Sequence, residues 1–403
     1  MTTETTIPSP NPFHTFPHTP TIPISPFKVD IPQTDIDDLK RRINDAPKPR
    51  QTFENSTTDE DLGVTREWLT HAVDEWKRFD WRETEAEFNS FPQFTAALQH
   101  KSHDFTIHFL ALFSKNPKAV PIVFSHGWPG SVIEFLPLLH HLSATYTPET
   151  LPVHVVVPSL VGYGFSSPPP LDADFATKDN ADLFDALMRG LGFEQYIAQG
   201  GDVGSLVSRW LGTKPGCKAV HLNMISGAAQ TPDQVDKSSL DEFDRECVER
   251  WDYFIKWEFA YKHEHATKSA TIGFVLESSP IALLSWIGEK FLVWSDTDPA
   301  LSTILANVSL YWLRNTISTG LYHYRSSAGK RTTPELTSPD LGDTPVGYSL
   351  FKKEIAPIPG KIAGQSVKLA WYRRHERGGH FAALEQPEVF WEDVWDFTQQ
   401  VWA

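Results

Sequence analysis

Apolar and polar positions change their period along this chain, and the changes divide it. Residues 34–46 carry Ile36, Leu39 and Ile43 on one side, and 65–79 carry Trp68, Leu69, Ala72, Val73 and Trp76 at helical spacing; both predict helices. From Phe94 the period shortens. Phe105, Ile107 and Phe109 alternate with polar neighbours, and 120–124 is a continuous apolar run of the kind that enters a buried sheet. Similar runs follow at 153–157, 196–198, 219–225 and 367–371, with helical stretches at 132–142, 178–191 and 205–211 between them. Strands alternating with helices predict an α/β fold, a mostly parallel central sheet with helices on both faces. The alternation stops after Ile225. Residues 233–325 are aromatic-rich and helical in pattern, and a strand signal returns at 344–351. A helical insertion so late in the series predicts a lid over the sheet's C-terminal edge, where such sheets place ligands. A last helix carries Phe390, Val394, Phe397 and Val401.

The first 32 residues hold Pro8, Pro10, Pro12, Pro17, Pro20, Pro23, Pro26 and Pro32. Fixed φ angles and missing donors predict an extended arm there, with neither helix nor ladder. Phe13, Phe16 and Phe27 would anchor it on its own core or on a second copy's, so a homodimer stays open, as does a loose tail to about residue 20. At ~150 residues per domain, 403 residues suggest two or three units. The formal net charge of -15, without a basic stripe, excludes nucleic acid as a partner and weakly favours a neutral or hydrophobic small molecule. Cys217 and Cys247 make neither a disulfide framework nor a zinc ribbon. No signal peptide is evident, and the apolar stretch 281–294 is interrupted by Gly288, Glu289 and Lys290 and too short for a bilayer. These features predict a soluble cytoplasmic protein without a membrane anchor.

The chemistry concentrates in Gly200-Gly201-Asp202-Val203-Gly204-Ser205, which leaves a predicted strand and opens a helix. In that context Gly-x-nucleophile-x-Gly is a mechanism: a strained turn projects the middle side chain above the sheet while the next amide, that of Val203, points at a developing oxyanion. The middle residue here is Asp, which otherwise caps helices. A carboxylate attacking an sp3 carbon forms an alkyl ester, suiting epoxides or alkyl halides. Ser125-His126-Gly127-Trp128-Pro129-Gly130-Ser131 closes another strand and can aim the Trp128 amide at the same oxyanion; His126 reads as loop packing. A hydrolytic step needs a base, and His380 lies in Gly378-Gly379-His380-Phe381, about ten residues past the predicted strand ending at Trp371. Asp340, Asp343 and Glu354 remain candidates for its acid, and Glu354 alone closely follows the run ending at Phe351. His375 and His380 are spaced wrongly for a zinc helix, and His263-x-His265 reads as surface.

These motifs resemble the microsomal-type epoxide hydrolases of the α/β-hydrolase fold, and soluble fungal members in particular. The resemblance runs from about residue 27 to the C-terminus. It rests on Phe79-Asp80-Trp81-Arg82, Phe88-Asn89-Ser90-Phe91-Pro92-Gln93-Phe94, the run from His126 to Ser131, and Pro158-Ser159-Leu160-Val161-Gly162-Tyr163-Gly164-Phe165-Ser166. It implies an N-terminal arm and meander over 1–100, a hydrolase core over 101–232 and 336–403, and a lid over 233–335. By motif it assigns Asp202 as nucleophile, His380 as base, Glu354 as acid, and Tyr261 and Tyr324 as lid tyrosines. Tyr322 competes with Tyr324, since two residues apart on a helix they point about 160° apart. The implied reaction turns a hydrophobic epoxide and water into a vicinal diol, with the Trp128 and Val203 amides on the oxyanion and no metal or organic cofactor. A haloalkane dehalogenase is the nearest rival, although that family places a Trp where Val203 stands. A non-catalytic ligand-binding protein on the same fold would lack nucleophile, base or acid, and none is lacking.

Overall fold

The apolar runs pair into one nine-stranded sheet in a computed structural model that describes residues 11–57, 62–330 and 339–402. The strands are β1 (Ile24–Pro26), β2 (Gln93–His100), β3 (His103–Leu112), β4 (Val120–Ser125), β5 (Val153–Pro158), β6 (Tyr196–Gly200), β7 (Cys217–Leu222), β8 (Val346–Lys353) and β9 (Leu369–Gly379). Their order is β1-β2-β3-β5-β4-β6-β7-β8-β9. The pairs from β1 to β5 are antiparallel, and every pair from β5 across to β9 is parallel. All residues of β4, β5 and β6 are buried, which explains why these central strands read as unbroken apolar runs.

Two expectations change. The proline arm does make a ladder, because an edge strand needs donors on one side only. Pro23 contributes its carbonyl to Ala97 N–H (3.0 Å), and Phe27 N–H donates to the Gln93 carbonyl (2.8 Å). From residue 11 the arm lies on its own chain, with Phe13 buried and Phe16 4.7 Å from Phe94, ring to ring; Pro8 and Pro10 fall outside the described residues. The last strand also runs on past Trp371 to Gly379, so His380 follows it directly. Its outer half alternates Arg373 and His375 with neighbours, and pairing with β8 extends it where apolar content does not.

The predicted helices near the N-terminus form at Gln33–Asp45 and Arg66–Arg78. A third, Trp81–Phe88, capped by the Asp80 carboxylate on Arg82 N–H (2.9 Å), has no counterpart in the periodicity argument because it is short. Between β7 and β8 the described chain forms only helices, including Glu242–Tyr253, Ala260–Thr267, Pro280–Trp294, Leu301–Arg314 and Tyr322–Ala328. The expected boundary between 335 and 336 lies outside the described residues. Trp76 Nε1–H donates to Ser309 Oγ (2.9 Å), tying the N-terminal helices to this insertion. No single described helix is long and apolar enough to cross a membrane; Ser269–Ser278 and Pro280–Trp294 reach that length together but are bent by 115°.

Candidate active site

The turn leaving β6 shows why its small residues are needed. Asp202 adopts φ +46°, a left-handed conformation that a side chain disfavours. A Cβ at Gly204 would lie 1.9 Å from the Ser125 carbonyl oxygen of β4, so only glycine lets the helix Asp202–Leu211 start against the sheet. The Asp202 carboxylate does not cap that helix. It accepts from Trp128 N–H at Oδ1 (2.7 Å), and its Oδ2 lies 3.4 Å from His380 Nε2.

His380 sits where β9 ends, held by its own N–H to the Trp294 carbonyl (2.9 Å). Its Nδ1–H donates to Glu354 Oε1 (2.6 Å), which also accepts from Ile355 N–H (2.6 Å). Glu354 is fully buried just past β8, and Arg250 on the insertion donates to its carbonyl (2.6 Å). Burial alone would push the His380 imidazole down. The Glu354 charge and the hydrogen bonds to Asp202 and Glu354 outweigh it and hold the pKa well above the usual histidine value. Asp340 and Asp343 stand at the opposite end of β8, where Asp340 accepts from Gly342 N–H and Asp343 pairs with Lys368 (3.0 Å).

Above Asp202 lies a cavity of about 200 Å³, lined by Val203, Leu206, Trp251, Phe254, Tyr261 and Tyr324 among others. Tyr261 stacks on Trp128 (5.3 Å between centroids), and Tyr324 meets both rings edge-on at 5.8 Å. Burial raises the pKa of both phenols well above the ordinary tyrosine value, with the Asp202 charge adding to the effect, so both stay protonated. Tyr322 is turned away: its hydroxyl donates to the Val161 carbonyl (2.9 Å) and accepts from Asn180 Nδ2 (2.7 Å).

His126 is buried between Leu160 N–H, which donates to its Nε2 (3.1 Å), and the Gly127 carbonyl, and burial pushes its pKa down to about 4. His265 corrects the surface expectation. One helical turn past Tyr261, it is fully buried, packs on Trp128 and Tyr324, and accepts from Trp286 Nε1–H (3.0 Å), whereas His263 is exposed. The pattern argument also passed over Lys290, whose ammonium lies 4.9 Å from the Tyr261 ring centre, and Lys262, which lines the cavity. An amphipathic period cannot show which helix face meets a cavity instead of a core.

Comparison with known proteins places the chain among known families and folds. Residues 24–135 match the family described as epoxide hydrolase N terminus, and 120–254 match the alpha/beta hydrolase fold. The structure of Aspergillus niger epoxide hydrolase superposes with a TM-score of 0.90 at 46% identity, covering 97% of this chain and 100% of that one. Juvenile hormone epoxide hydrolase from the silkworm Bombyx mori gives 0.82 at 27% identity, covering 95% of each chain. Epoxide hydrolase 1 of Oryctolagus cuniculus is 30% identical over 422 residues, covering 93% of this chain and 88% of that protein.

Proposed function

This chain belongs to the epoxide hydrolases of the α/β-hydrolase fold, and we propose that it converts an epoxide and water into a vicinal diol through an ester on Asp202. One observation carries the reading: a carboxylate, not a hydroxyl, stands at the elbow, beneath a cavity that it shares with two protonated phenols. Tyr261 and Tyr324 donate to the epoxide oxygen as its charge grows. Asp202 attacks a ring carbon, the ring C–O bond breaks, and the alkoxide takes a phenolic proton that His380 replaces.

The second step follows from the charges around His380. In the resting site two carboxylates favour its proton. Esterification removes the Asp202 charge, the hold on the proton weakens, and the neutral imidazole, oriented by Glu354, takes a proton from water. That water attacks the ester carbonyl carbon. The oxyanion forms where Trp128 N–H already meets Oδ1 (2.7 Å), with the Val203 amide as second donor. Collapse returns the Asp202 carboxylate and the His380 imidazolium and releases the diol. The two buried thiols, Cys217 and Cys247, suit a reducing compartment such as the cytoplasm.

A single turnover in heavy-oxygen water is expected to leave label on the Asp202 carboxylate, read by mass spectrometry of the peptide that contains it. Label found only in the diol would rule the covalent route out.

A further inference from the structure

The cavity lining holds two charged side chains among the described residues, Asp202 and Lys262. The reaction uses the first and not the second. Lys262 directly follows Tyr261 on the helix Ala260–Thr267. A lysine with restricted access to water ordinarily meets a carboxylate or extends its ammonium to the surface. Lys262 is half-buried, and no carboxylate of the described residues forms an ion pair with it. Its ammonium lies instead over Phe259, 4.5 Å from the ring centre, and Phe259 lines the same cavity.

Loss of water contact draws its pKa below the ordinary lysine value, and the Asp202 charge pulls it back up. The walls around it are mainly apolar, with Leu206, Trp251, Phe254 and Ile358 among them. His323 adds no charge, because burial holds its imidazole well below the usual pKa. A chain of net charge -15 repels anions at a distance, so one unpaired cation inside the substrate cavity is not a sample of its surface. Between apolar walls its attraction for an anion is screened far less than in water.

We infer that Lys262 selects epoxides that carry a carboxylate away from the ring, holding the anion at the lid while the epoxide reaches Asp202. The substrate class is then an amphipathic epoxy acid: apolar through the middle, anionic at one end. This assignment rests on the reaction proposed above.

The test compares kcat/KM for the terminal epoxide of undecylenic acid with that for its methyl ester, in the wild type, Lys262→Met and Lys262→Arg. The ratio of acid to ester cancels any general loss of fold or chemistry. The wild type is expected to favour the acid by about tenfold or more, mostly through KM, as one ion pair away from bulk water supplies. That preference is expected to vanish in Lys262→Met and to survive in Lys262→Arg. An ester turned over as well as the acid by the wild type, or a ratio unmoved by Lys262→Met, would overturn the assignment while leaving the epoxide reaction standing. No diol from either substrate or from styrene oxide would instead remove the reaction, and this assignment with it.

Discussion

Tyr322 and Tyr324 lie two residues apart on one short helix and meet opposite environments. The Tyr322 hydroxyl is committed to Val161 and Asn180, whereas the Tyr324 hydroxyl is buried with no partner in good hydrogen-bonding geometry. A phenol beside a cavity that interacts with the Tyr261 phenol, and is committed to no carbonyl or amide, is placed to donate to something that enters it. Tyr324→Phe is therefore expected to slow ester formation by roughly 10–100-fold, the worth of one hydrogen bond to a developing alkoxide, with little effect on stability. Tyr322→Phe is expected to do the reverse, lowering unfolding free energy by about 1–2 kcal/mol and sparing the chemical step. Stopped-flow single turnovers and urea titration of both variants separate the two.

The site is built where elements end. β6 ends in the Asp202 turn, β8 just before Glu354, and β9 at Gly379 before His380, so three strands of the parallel half, with β7 between β6 and β8, deliver three groups to one edge. The tightest demand falls on the helix after β6, where an added methyl meets the backbone of β4. Gly204→Ala is expected to cost at least ~3 kcal/mol, because the Ser125 carbonyl is held in the ladder and cannot turn aside. Gly342 serves as the control. It has φ +53° but open space around it, so Gly342→Ala should cost only about 1 kcal/mol of backbone strain. Equal losses in urea unfolding would show that close approach does not govern the elbow.

Across the whole molecule, burial keeps a set of histidines neutral. His108 and His265 are pushed down to about 3, His126, His154 and His221 to about 4, and His323 well below its usual value, each chiefly by loss of water. Their folded pKa values lie below the unfolded value of about 6.5, so the stability they contribute is present above that pH and is lost as pH falls towards 4. His380 has the opposite sign: its contribution is present in acid and fades as pH rises through its raised folded value. Unfolding near about pH 5 is expected to take up three or more protons, at about 1.4 kcal/mol per proton per pH unit. Chemical denaturation across about pH 4–7 measures this, and a flat profile would contradict it. The strand–helix order, the inserted helices, the carboxylate at the elbow and the histidine after the last strand are legible in the order of residues alone, because a strained turn and a buried strand each leave a local signature. That pattern left three acids for His380, which only the family resemblance narrowed to Glu354, left Tyr322 competing with Tyr324, and gave no role to Lys262. Tertiary structure decided that Glu354 touches His380, that Tyr324 faces the cavity, and that β1 and the far half of β9 pair at all. Those outcomes depend on which ends of distant segments meet, and no short stretch of sequence contains that information.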